Sequence, residues 1–104
     1  MRMILKVSMP TDVMNELIRE GKLTSTMEKL LGAVKPEATY FTLVDGERTI
    51  FLVVDVAQPQ DMFRLAEPFF LALEASLDCY PVMLPEDLAK AAAEYGPSLE
   101  QFNM

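Results

Sequence analysis

The segment Thr49-Ile50-Phe51-Leu52-Val53-Val54-Asp55-Val56 constrains the fold most. It is rich in β-branched and aromatic residues, which favour a strand. Ile50, Leu52, Val54 and Val56 fall on one face, Phe51 and Val53 on the other, and only Asp55 interrupts. A strand that is apolar on both faces belongs in the middle of a sheet covered on both sides. Asp45-Gly46 just before it is a tight hairpin signal. Ala38 to Val44 reads as the other arm of that hairpin.

Two more strands and three helical regions complete the pattern. Arg2 to Met9 alternates, with Met3, Leu5 and Val7 on one face and Ile4, Lys6 and Ser8 on the other. Asp78 to Leu84 reads as a fourth strand, and Pro81 confines it to a sheet edge. Between the first two strands, Val13, Met14, Leu17, Ile18, Leu23, Met27, Leu30, Leu31 and Val34 recur at helical spacing. Thr11 is the expected N-cap. Gly21 marks either a tolerated mid-helix glycine or a break, with Ser25 and Glu28 as a capping box for a second helix. A further helix is expected to open at Pro59 and to kink at Pro68. The last begins at Pro85, lines Leu88, Ala92 and Tyr95 along one side, and is expected to stop at Gly96-Pro97. The tail beyond carries Leu99 and Phe102 and is expected to dock.

The order strand, helix, strand, strand, helix, strand is the ferredoxin-like βαββαβ order. The expected fold is therefore α+β, a single domain over residues 1–104 with an antiparallel sheet ordered 4-1-3-2 plus a C-terminal helix. That order puts the two-faced apolar strand inside and Pro81 at an edge. Two helices can cover one sheet face only. The other would expose Ile4, Tyr40, Val44, Phe51 and Val53, a patch rarely left open on a monomer. A second copy of the same sheet is the simplest cover, and the chain's own final helix or tail is the alternative.

Composition removes several function classes. There is no histidine, which excludes Ser-His-Asp and Cys-His nucleophile pairs and His-ligated zinc, iron or copper. Glycine-rich phosphate cradles are missing, and neither Asp45 with Glu47 nor Glu86 with Asp87 has the loop spacing of a Mg²⁺ or Ca²⁺ site. No metal and no cofactor is expected. The net charge of −7 argues against nucleic acid and against an anionic membrane surface as partners. The acidity is concentrated from Asp61 onward, where eight acids face two bases. That pattern reads as a solvated face. The N-terminus lacks the small-residue cleavage site of a signal peptide and reads as a strand. The single Cys79 fits a reducing, cytoplasmic location.

Four segments carry a resemblance that spans nearly the whole chain. They are Lys35-Pro36-Glu37-Ala38-Thr39-Tyr40-Phe41, Asp45-Gly46-Glu47-Arg48-Thr49, Ala66-Glu67-Pro68-Phe69-Phe70, and Pro81 to Ala89 (PVMLPEDLA). They resemble a small bacterial family, without an assigned activity, of the dimeric α/β-barrel superfamily. The resemblance implies the ferredoxin-like fold and a homodimer. Related families include heme-degrading and quinone-forming monooxygenases, muconolactone isomerases and dye peroxidases. Heme-binding members commonly use histidine, which this chain lacks. None of their catalytic motifs matches, so no catalytic residue is carried over.

The face that would line the barrel carries Lys6, Ser8, Tyr40, Thr42 and Asp55 among apolar residues. Lys6 and Asp55 are expected as diagonal cross-strand partners, able to bind a polar ligand or move a proton, or simply to form an internal ion pair or an exposed pair at the barrel mouth. Arg48, Glu37 and Glu67 stand at element ends, where loops can rim a pocket. The functional expectation is a small-molecule-binding homodimer, in enzymatic form a cofactor-independent isomerase or monooxygenase. The alternative is a non-catalytic interaction or regulatory module. A lined cavity of roughly 300 Å³ or more favours the first.

Overall fold

The computed structural model describes residues 1–103. In chain order the elements are β1 (Arg2–Ser8), α1 (Thr11–Arg19), α2 (Leu23–Val34), β2 (Ala38–Val44), β3 (Glu47–Asp55), α3 (Asp61–Leu73), β4 (Ser76–Pro81), α4 (Pro85–Leu99) and a 3₁₀ turn (Glu100–Phe102). The strands form one open antiparallel sheet in the order β2-β3-β1-β4, which is 4-1-3-2 when counted from the other edge. No helix among the described residues is long and apolar enough to cross a membrane.

The alternation seen in the sequence sorts the sheet into two faces. Met3, Leu5 and Val7 from β1 and Ile50, Leu52 and Val54 from β3 are buried on one face. They meet Met14, Met27, Leu30 and Val34 from α1 and α2, and Leu65, Phe69 and Leu73 from α3. Each such side chain taken fully out of water contributes roughly 1.5–3 kcal/mol, so this layer holds the fold together. Among the described residues no helix covers the opposite face, where Ile4, Phe51 and Val53 stay half-exposed and Tyr40 is 64% exposed.

Asp45 and Gly46 both take positive φ (51° and 80°), the signature of the tight turn that matches strand twist. Several helix boundaries differ from the expectations. Gly21 takes φ 69° and breaks the helical region, but α2 begins at Leu23, ahead of Ser25. The Ser25 hydroxyl donates back to the Lys22 carbonyl at 3.1 Å, so the Ser25–Glu28 box does not form the cap. Thr11 is the first helical residue rather than the cap, since Pro10 holds the cap position. α3 begins at Asp61, whose carboxylate accepts the Ala57 and Gln58 N–H groups at 3.1 Å and closes the turn that contains Pro59. It runs unbroken through Pro68.

α4 departs most from expectation. It continues through Gly96-Pro97 to Leu99. A proline in the last turn forfeits one backbone bond only, and Ser98 donates its hydroxyl to the Tyr95 carbonyl at 2.8 Å. No residue of α4 is buried. Among the described residues its only substantial packing partner is the 3₁₀ turn that follows it. Leu99 and Phe102 do not dock on this chain; Phe102 is 67% exposed. The radius of gyration is 17.7 Å and the longest dimension 60 Å. A compact chain of this length has a radius near ~13 Å, so α4 projects from the body as an arm.

Candidate functional site

Directly paired residues point to the same side of a sheet, so the register describes the open face row by row. One row runs Asp78, Lys6, Phe51, Tyr40 from β4 to β2. The next runs Tyr80, Ile4, Val53, Ala38. On the other side of the Lys6 row stand four hydroxyls in line: Ser76, Ser8, Thr49 and Thr42. The far end is charged, with Arg2 opposite Asp55. The face therefore has an apolar and aromatic centre, a hydroxyl row at one end and ions at the other. Lys6 stands between the hydroxyl row and the apolar row. Among the described residues no carboxylate lies within salt-bridge distance of its ammonium.

Five of the expected site residues, Lys6, Ser8, Tyr40, Thr42 and Asp55, share this face. Lys6 and Asp55 do not meet, however. Lys6 pairs with Phe51, and Asp55 pairs with Arg2 four ladder positions away. The Met1 amine donates to Asp55 Oδ1 at 3.0 Å. That bond and the charge behind it hold the Asp55 carboxyl below its usual range, and Arg2 adds to the effect. Arg2 itself donates to Glu37 Oε2 at 2.9 Å, which ties Glu37 into the charged end of the sheet.

Arg48 and Glu67 lie on the other side. Glu67 sits half-buried on α3, in the helical layer. Arg48 shares the parity of Ile50 and points toward α1, where its Nη2 donates to Asn15 Oδ1 at 3.0 Å. Its Nη1 is buried and has no hydrogen-bond partner. Arg48 also borders a cavity of about 390 Å³ beneath α1 and α2, lined chiefly by Met9, Met14, Leu23, Met27 and Phe41 with Glu28 also on its wall. Met9, Met14 and Met27 also belong to the buried core, so this wall is one side of the helical layer. The cavity exists because α1 and α2 do not reach the edge strand: Phe41 and Leu43 face the helical side yet are 58% and 70% exposed. The alternation of β2 held this signal, since it turns Phe41 and Leu43 to the helices while nothing in the sequence supplies a cover.

Cys79 faces the core side, half-buried. Burial, and secondarily the Asp78 carboxylate, push its thiol upward. Among the described residues no three acidic or thiol side chains converge on a point that could hold a metal ion. The chain matches no family model, and no curated protein sequence is similar to it.

Proposed function

We propose that the chain is a ferredoxin-like subunit of a homodimer whose two open sheet faces pack together as a dimeric α/β barrel, and that the space between them binds a small polar molecule. The open face carries this reading. Ile4, Phe51 and Val53 form a contiguous apolar centre flanked by Tyr40 and Tyr80. Water-exposed patches of that kind are uncommon on lone subunits, and a two-fold partner removes them from water. Lys6 gives the site its chemistry. Once the faces close, a lysine without a carboxylate partner is costly to bury, and a guest bearing an acceptor group offsets that cost. The hydroxyls of Tyr40, Ser8, Thr42 and Ser76 supply further hydrogen bonds, while that of Thr49 is buried and already donates to the Glu47 carbonyl at 3.0 Å. In the enzymatic form of this reading, proton transfer needs no cofactor and falls to Lys6, since Asp55 stands four ladder positions away. A reducing compartment such as the cytoplasm fits the single half-buried thiol.

A second reading, a non-catalytic interaction module, is favoured by the projecting arm, none of whose residues is buried. Native mass spectrometry of the purified protein separates the two. The ligand reading predicts a dimer with a discrete extra mass that denaturation releases and that Lys6→Ala abolishes. An empty dimer that binds nothing from a panel of small metabolites supports the module and contradicts the ligand reading.

A further inference from the structure

The two edges of the sheet are not alike. In a strand, alternate residues turn their backbone N–H and C=O groups to opposite sides. Met9 donates its N–H to the Arg48 carbonyl at 3.0 Å and Val56 donates to the Met1 carbonyl at 2.8 Å, so the even-numbered residues of β3 bond to β1. Thr49, Phe51 and Val53 therefore bond to β2 through Thr42, Tyr40 and Ala38. That leaves the backbone of Thr39, Phe41 and Leu43 turned outward, with no neighbouring strand among the described residues. At the other edge, Val82 donates to the Arg2 carbonyl at 3.3 Å, and the same alternation leaves Leu77, Cys79 and Pro81 outward on β4. Charges and prolines commonly guard an edge, and Pro81 has no N–H to offer. β4 carries Asp78 and Pro81, whereas the seven residues of β2 include neither a charge nor a proline.

We infer that the β2 edge takes up an extended peptide of a partner protein as a further antiparallel strand, with large apolar residues at alternate positions and a lysine or arginine toward its N-terminal end. The backbone selects a polypeptide. Thr39, Phe41 and Leu43 present a donor and an acceptor at a repeat of roughly 6.8 Å, which an extended chain matches. Residues that face each other across a ladder point the same way, so guest side chains opposite Phe41 and Leu43 turn to the helical side. There they cover the exposed Phe41 and Leu43 and reach the mouth of the cavity of about 390 Å³, between Phe41 and the α2 residues Met27 and Leu31. Methionine adapts to apolar guests of different shape. Charge selects the basic residue. Glu28 stands on the cavity wall, and Asp45 and Glu47 stand at the hairpin where β2 ends, the end at which an antiparallel guest begins. The Arg48 guanidinium on that wall is turned to Asn15. β2 of a second copy holds no cation for these acids, and pairing about Phe41 sets its Glu37 against Asp45. The site lies outside the open face, so it is independent of the homodimer reading.

The test pans a phage-displayed library of short random peptides on the full chain and synthesises the enriched sequence. Enrichment is expected for peptides that alternate apolar and polar residues and carry lysine or arginine in the N-terminal half, and Glu28→Lys should weaken the enriched peptide several-fold. N-methylation at an apolar position, whose N–H faces β2, should weaken binding by roughly tenfold or more, and N-methylation at an intervening position by less than about twofold. Hydrogen exchange at the Thr39, Phe41 and Leu43 amides should be fast in the free chain and slowed by the peptide. No enriched sequence, equal tolerance of methyl groups at both sets of positions, or peptide protection on the open sheet face instead overturns the inference. So does protection of these amides before any peptide is added, which would mean that a second copy already holds the edge.

Discussion

Arg48 and Asn15 meet at 3.0 Å across the gap between β3 and α1, and the contact satisfies only one end of the guanidinium. Leaving a buried donor unpaired costs about 1–3 kcal/mol. Arg48→Met, measured by urea unfolding at concentrations low enough to keep the chain monomeric, is expected to be neutral or to stabilise by about 1 kcal/mol. Asn15→Ala, which strips the remaining partner, is expected to destabilise by about 1–2 kcal/mol. The reverse ranking would mean that the guanidinium is satisfied within its own chain.

The open face supplies a second prediction. Val53 sits at its centre, opposite Ile4 and Ala38. Val53→Asp places an unpaired carboxylate in the proposed sheet–sheet interface without touching the helical core. The dimer dissociation constant is expected to rise by on the order of a hundredfold or more, while far-ultraviolet circular dichroism stays native. An unchanged dissociation constant would place the interface elsewhere.

Core and arm should respond differently to truncation. Leu5 and Phe69 are fully buried. Leu5→Ala is expected to cost about 2–5 kcal/mol and Phe69→Ala about 3–5 kcal/mol in denaturant unfolding. Leu88→Ala on the arm is expected to stay within about 0.5 kcal/mol in the dilute monomer. A cost of several kcal/mol for Leu88→Ala in that state would show that the arm packs on its own chain.

How far the sequence led can be read from these same residues. Strand parity was legible: Met3, Leu5 and Val7 turn inward, and Lys6 and Asp55 turn to the open face. Distance along the ladder was not, because parity repeats every two residues and four positions separate Lys6 from Asp55 without changing the face. Arg48 was misplaced for a related reason. The strand was read from Thr49, so Arg48 counted as a loop residue, whereas β3 begins at Glu47 and gives Arg48 the parity of Ile50. The stop expected at Gly96-Pro97 failed because both residues fit the final turn of a helix with no buried residue. The cavity depends on where α1 and α2 end relative to the β2 edge, and no local pattern encodes that.

Cys79 gives a prediction in pH. Burial and Asp78 raise its thiol in the folded state, so the native chain holds that proton where the unfolded chain has begun to release it. This contribution to stability is complete below the unfolded thiol's pKa and is lost as pH rises through the folded one. Alkylation by iodoacetamide in mildly alkaline buffer should be slower than for a free cysteine, and Asp78→Asn should speed it. A native rate equal to that of the denatured chain would contradict the assignment.

Sedimentation velocity at tens of micromolar bears most directly on the account, because the sheet interface and the ligand space both require two chains. The prediction is one species at twice the 11.7 kDa chain mass, shifting to monomer in Val53→Asp. A wild-type protein that sediments as a monomer throughout that range would contradict it.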